Sequence, residues 1–257
     1  MSVSRAEFLK SLGSSVTDYT LGTGLATAQA VAGKVFAMME SSTPTVAAPV
    51  KETVPEARVI HSGPETGNQI ALTFDDGPTP GVTDRILDEL KKRGLHATFF
   101  MIGARVELAP DLARRVLAEG HEVGNHTFTH PKLSGLSDVQ AEEEVDKTQD
   151  VLLNLLGHQA TWFRPPYGDL RKNQEPMLAK KGLSIVYWSL SPSDWARPAP
   201  AKIIESILED IKPGSIVVCH DMHRETADCM SDLLDQLLER GLKTTTLTNV
   251  LTPEDSK

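Results

Sequence analysis

From Gln69 onward, short apolar runs alternate with stretches whose apolar residues recur every three to four positions. The runs are Gln69–Phe74, His96–Ile102, Glu122–Gly124, Thr161–Phe163, Leu183–Leu190, Ser215–Cys219 and Lys243–Leu247, and their β-branched and aromatic content predicts strands. Between them, Val82, Ile86, Leu87 and Leu90 share one helical face in a segment that stops at Gly94. Similar patterns fill Ala109–Gly120, Leu136–Gly157, Lys172–Gly182, Ala199–Gly214 and Thr226–Gly241, with Ser137 placed to cap the longest of them and Gly157 to end it. Strand–helix alternation of this kind predicts an α/β fold with a mainly parallel sheet and helices outside it. The sheet closes into a barrel or stays open and doubly wound. Either way, reactive groups belong at the carboxyl ends of the strands.

They fall there repeatedly. The first run ends in Asp75-Asp76, the third in GNHTFTH with His126 and His130, and the fourth in RPPYG from Arg164. The fifth leads to SPSDW with Asp194 and Trp195, and the sixth ends in His220-Asp221. Two adjacent carboxylates repel unless a cation, a proton or water relieves them. Two imidazoles four residues apart can reach one ion from a tight turn, and a carboxylate from a neighbouring strand would complete a His₂Asp set with an open position. That is the donor set of a catalytic zinc or similar divalent ion, with one aspartate drawn to the ion and its neighbour left as a base. The plainer alternatives are a solvated turn or calcium loop for the acids, a core histidine for His220, a surface cation for Arg164 and a core aromatic for Trp195. Calcium would want more oxygen donors and no imidazole.

Composition narrows the partners. In 257 residues the formal charge is −9 and aromatics make up 5%, which argues against a nucleic-acid partner. Two cysteines, Cys219 and Cys229, cannot form a disulfide framework, and buried thiols are the expectation.

Taken together and in order, TFDDGP, HTFTH, RPPYG, SPSDW and VVCHD resemble the five motifs of the polysaccharide deacetylases, metal-dependent carbohydrate esterases sharing the nodulation-factor deacetylase domain. The resemblance runs from Gln69 to Leu251 and implies a distorted barrel of seven or eight β/α units. It implies Asp76, His126 and His130 as ligands of a divalent metal, zinc first, with cobalt, nickel, iron or manganese as alternatives. Asp75 becomes the general base and Arg164 its orienting partner. His220, tuned by Asp194, becomes the acid for the leaving amine. The Tyr167 N–H joins the oxyanion site, and Trp195 and Val218 line a pocket for the acetyl methyl. The implied substrate is an N-acetylated, GlcNAc-containing glycan of peptidoglycan or chitin type; acetylated xylan, a cyclic amide, or sugar binding without catalysis are the alternatives. Where the family often carries aspartate at the head of the fourth motif, this chain has Ser191.

Outside that region, residues 1–40 read as an export segment. Basic Ser4–Lys10 precedes the mild apolar run Tyr19–Gly33 with Ala-x-Ala sites, although Ala6 stands where a twin-arginine signal needs its second arginine. The apolar run is too short and mild to span a membrane. Export to the periplasm or exterior is the expectation; an N-terminal helix packed on a cytoplasmic domain is the alternative. Proline-rich 41–67 reads as a linker, and 68–257 as the catalytic domain.

Overall fold

A computed structural model describes residues 56–252. The expected export segment and most of the linker lie outside them. Within them, eight strands are β1 (Val59–Ile60), β2 (Gln69–Asp75), β3 (Thr98–Met101), β4 (Glu122–Asn125), β5 (Trp162–Phe163), β6 (Ser184–Val186), β7 (Ile216–His220) and β8 (Lys243–Thr245). Helices α1 (Thr83–Lys92), α2 (Gly103–Leu108), α3 (Pro110–Ala118), α4 (Asp138–Leu156), α5 (Glu175–Lys180), α6 (Pro200–Asp210), α7 (Arg224–Glu239) and α8 (Leu247–Leu251) connect or close them. No helix among the described residues is long and apolar enough to cross a membrane.

All pairings are parallel, in the order β1-β6-β5-β4-β3-β2-β7, with β8 added to the start of β2. Beyond β6 the chain reaches β7 through a parallel bridge between Leu190 and Val217, which draws the sheet towards closure. The result is the distorted (β/α) barrel expected from the alternation.

Strand side chains alternate between two environments, and the alternation builds the site. On β2, Ile70, Leu72 and Phe74 pack outward among the helices with Ile86, Leu87 and Leu90 of α1. Ala71 points inward to a small core with Phe100, Trp162, Val186 and Ile216, closed below by Leu247 and Val250 of α8. Thr73 and Asp75, on the same inward face, continue upward from that core. On β7 the same rule turns Val218 and His220 inward while Cys219 joins the outer core as a fully buried free thiol. Gly124 on β4 is obligatory, because a Cβ there would meet the Phe100 ring at 2.5 Å.

Three expectations need correction. The sheet begins at Val59, inside the stretch read as linker to residue 67, because a two-residue edge strand on β6 is too short to show periodicity. The fifth run stops being a strand at Val186, since Tyr187–Leu190 leaves β6 for the bridge to β7. Leu247 starts a helix capped by the Thr246 hydroxyl and does not end a strand. The Ser137 cap and left-handed Gly157 terminus of α4 are as expected.

Candidate metal centre and acid–base site

The three residues expected as metal ligands converge at the carboxyl ends of β2 and β4. Each offers a ligand atom within 4.8 Å of the others. The His130 Nε2 lies 3.1 Å, and the His126 Nε2 3.5 Å, from one oxygen of Asp76. Ligand atoms bound tetrahedrally at about 2.0–2.2 Å stand roughly 3.4 Å apart, so the spacing fits a shared ion. That same Asp76 oxygen is buried without a hydrogen-bond partner, as a ligand atom awaiting a cation would be. Burial alone raises the Asp76 carboxyl, whereas positive charge on the His126 and His130 side, from protonated rings, outweighs burial and holds the group well below the usual carboxylate range. The His126 Nδ1 lies 2.7 Å from the Arg164 carbonyl oxygen; donating its proton there, it keeps a lone pair on Nε2.

The local backbone is shaped for this. Asp76, His130 and Tyr167 have φ of 75, 63 and 60°, left-handed values that cost non-glycine residues of order 1 kcal/mol or more each. Glu144 of α4 ties down the loop between the two histidines, accepting from the Phe128 and Thr129 N–H groups and the Thr129 hydroxyl. Asn125 braces its start, donating to the Val145 carbonyl and accepting from the Thr127 N–H. A Cβ on Gly77 would collide with the buried Asp221 carboxylate, which accepts from the Thr83 hydroxyl at 2.6 Å. Burial pushes Asp221 up to about 7, with the Thr83 bond opposing and the Asp76 and Asp75 charges reinforcing the rise.

Asp75 turns away from this trio. One of its oxygens accepts at 2.7 Å from Arg164, whose guanidinium is fully buried and also donates to Thr73 and to the Val186 and Tyr187 carbonyls. The Phe100 ring lies 4.1 Å beneath that guanidinium. Arg164 is thus a buried strut between the barrel core and Asp75, far from the surface cation that was its alternative. The other Asp75 oxygen stays 3.9 Å from the His126 Nε2, free towards the cavity.

Across the site, the Asp194 carboxylate accepts from the His220 backbone N–H and the Thr226 hydroxyl at 2.7 Å each, and lies 2.8 Å from the His220 Nδ1. Burial would lower His220, but its Asp194 partner, with the Asp75 and Asp76 charges, pushes it up to about 9. A cavity of about 630 Å³ joins these groups, walled by Tyr167, Trp188, Trp195, Val218, Met222 and His223, with Ser191 at its edge. Trp195 is no core aromatic; it is 62% exposed, and Tyr167 63%. The structure therefore brings together all ten residues singled out from the sequence. It gives partners to Thr73 and Asp221, which lie inside TFDDGP and VVCHD without an assigned role, and to Thr226, just beyond VVCHD, and it brings in Glu144, Trp188 and His223.

A family model described as polysaccharide deacetylase matches residues 62–186. A peptidoglycan-N-acetylglucosamine deacetylase of Bacillus cereus is 35% identical over 190 residues, 72% of this chain and 69% of that one. The chain belongs to the polysaccharide deacetylase family. Among other members, a chitooligosaccharide deacetylase of a Bradyrhizobium species is 43% identical over 153 residues, 59% of this chain and 70% of that one. The Bacillus subtilis peptidoglycan-N-acetylmuramic acid deacetylase PdaC is 35% identical over 206 residues, 78% of this chain but only 44% of PdaC. A solved PdaC structure superposes with a TM-score of 0.69 at 35% identity, covering 73% of this chain and 91% of that one. The match therefore spans less than half of PdaC, while the polysaccharide deacetylase fold itself is covered.

Proposed function

We propose that the protein hydrolyses the N-acetyl amide of a GlcNAc-containing glycan, of peptidoglycan or chitin type, and releases acetate. The observation that carries this is the division between adjacent acids: Asp76 faces two imidazoles, and Asp75 faces a buried arginine. Asp76, His126 and His130 would hold a divalent ion, zinc first, which when bound supplies Lewis-acid polarisation and lowers the pKa of water. Asp75 takes a proton from the attacking water while Arg164 holds its other oxygen in place. The water oxygen bonds to the amide carbon, and the Tyr167 N–H helps to carry charge on the carbonyl oxygen. As the C–N bond breaks, His220 gives its proton to the departing nitrogen. An amine is a poor leaving group unless protonated, and an imidazole held up to about 9 still carries its proton at neutral pH. Val218 and Trp195 flank the acetyl methyl.

Relatives named for peptidoglycan and chitooligosaccharide deacetylation support the substrate class. A glycan of the cell envelope is met outside the cytoplasm, which supports reading the N-terminal segment as an export signal. Acetate release by the metal-loaded protein from GlcNAc oligomers and peptidoglycan, set beside acetylated xylan, tests the reading. Release from xylan alone would make it an esterase, and release from none would leave a sugar-binding module.

A further inference from the structure

His223 takes no part in those steps, yet it sits in the wall of the same cavity and is only 8% exposed. Its ring centroid lies 6.1 Å from that of His220. The two imidazoles are held in opposite ways. The His220 Nδ1 is bound to Asp194, whereas the His223 Nδ1 is sealed from solvent with no hydrogen-bond partner among the described residues. A proton on that sealed nitrogen would be a buried donor without an acceptor, at a cost of about 1–3 kcal/mol, and more if the ring were charged. A bare lone pair on Nδ1 is the less costly of the two states, which favours a neutral ring with its proton on Nε2, the nitrogen left to offer to the cavity. Burial, against the pull of Asp194, likewise lowers His223 below the ordinary histidine value.

We propose that His223 is a substrate-binding residue whose Nε2–H donates a hydrogen bond to a hydroxyl or ring oxygen of the sugar bearing the scissile acetamide. This rests on the deacetylase reading. The bond fixes that sugar on the acid side of the cavity, beside Met222 and Val218, while Asp75 and His220 act on the amide. A donor so placed recognises an oxygen-rich ring and offers nothing to a bare acyl chain.

Three variants separate the nitrogens. His223→Gln keeps a donor near the Nε2 position, His223→Asn puts its amide near Nδ1, and His223→Ala removes both. Steady-state acetate release from a GlcNAc tetramer is measured on the metal-loaded protein, with thermal melts to confirm folding. The Ala and Asn variants should raise KM roughly tenfold, Gln should restore most of it, and the basic limb of kcat should stay where His220 sets it. An unchanged KM in all three variants overturns the proposal. So does a loss confined to kcat or to its basic limb, which would make His223 a proton carrier, or a Gln variant as poor as Ala. Calorimetric binding of the tetramer to Asp75→Asn protein, with and without His223→Ala, keeps the test independent of turnover. A roughly tenfold weakening supports the assignment even if no acetate is ever released, and equal affinities overturn it.

Discussion

Two histidine pairs bracket β4, and only one is built for a metal. Above the strand, His126 and His130 have ring centroids 5.0 Å apart at 55°; at its base, His96 and His121 are 5.6 Å apart at 57°. The two pairs are similarly spaced and tilted, but their protons are placed differently. The His126 Nδ1 faces a carbonyl oxygen, so Nε2 is bare and can coordinate. The His121 Nδ1 instead accepts the Ala97 N–H at 3.1 Å, which forces the proton onto Nε2 and leaves nothing to bind a cation. Burial, aided by His96, pushes His121 down to about 4, so it stays neutral as a packing group. The upper pair also has the Asp76 carboxylate within reach. Imidazole spacing alone does not make a centre; the atom facing the second nitrogen decides it.

The comparison breaks most visibly at His126. His126→Ala should abolish tight zinc binding and lower kcat/KM by more than about 10³-fold, since several kcal/mol of charge stabilisation depend on the ion. Zinc content after dialysis and acetate release read both. Asp75→Asn comes next: it should bind zinc like the parent while losing about 10²–10⁴-fold in turnover, the range of one general base. Loss of metal in that variant would mean the two acids share the ion.

Asp194→Asn sharpens the acid side. His220 is raised in the fold to about 9 from an ordinary value near 6.5, so the proton-bearing form persists up to about pH 9. Stability from the His220–Asp194 pair is complete below about pH 6.5 and lost as pH rises through about 9. The basic limb of kcat should therefore sit near 9 and move down by a unit or more in the variant. A limb that stays in place would take the proton-donor role from His220. The smallest effect belongs to the lower pair. His121→Ala leaves the Ala97 N–H unpaired and should cost about 1–3 kcal/mol of stability by denaturant unfolding, with zinc affinity unchanged. A fall in zinc affinity would erase the distinction between the pairs.

Most of the barrel was legible because apolar alternation and helical spacing encode which face each residue presents, as with Ala71, Thr73 and Asp75 against Leu72 and Phe74. β1 and α8 were not, being too short for any period to show. The residues proposed as metal ligands, base and acid were legible because each stands at or just after a strand end within a motif. Glu144 was silent, and Thr73, although inside TFDDGP, showed no role, since what they do depends on hydrogen bonds to residues brought near only by folding. Trp195 misled in isolation, because an aromatic at a strand end reads as core until the cavity beside it is seen. His223 stood in the sequence three residues from His220, yet nothing in that spacing tells a ring bound to aspartate from one with a sealed nitrogen.

The central claim is the split between the adjacent acids, and a crystal structure with zinc bound tests it most directly. The ion should lie about 2.0–2.2 Å from the Asp76 oxygen and the Nε2 atoms of His126 and His130, with Asp75 uncoordinated and still held by Arg164. Zinc bound by Asp75, or no zinc at a saturating concentration, would contradict it.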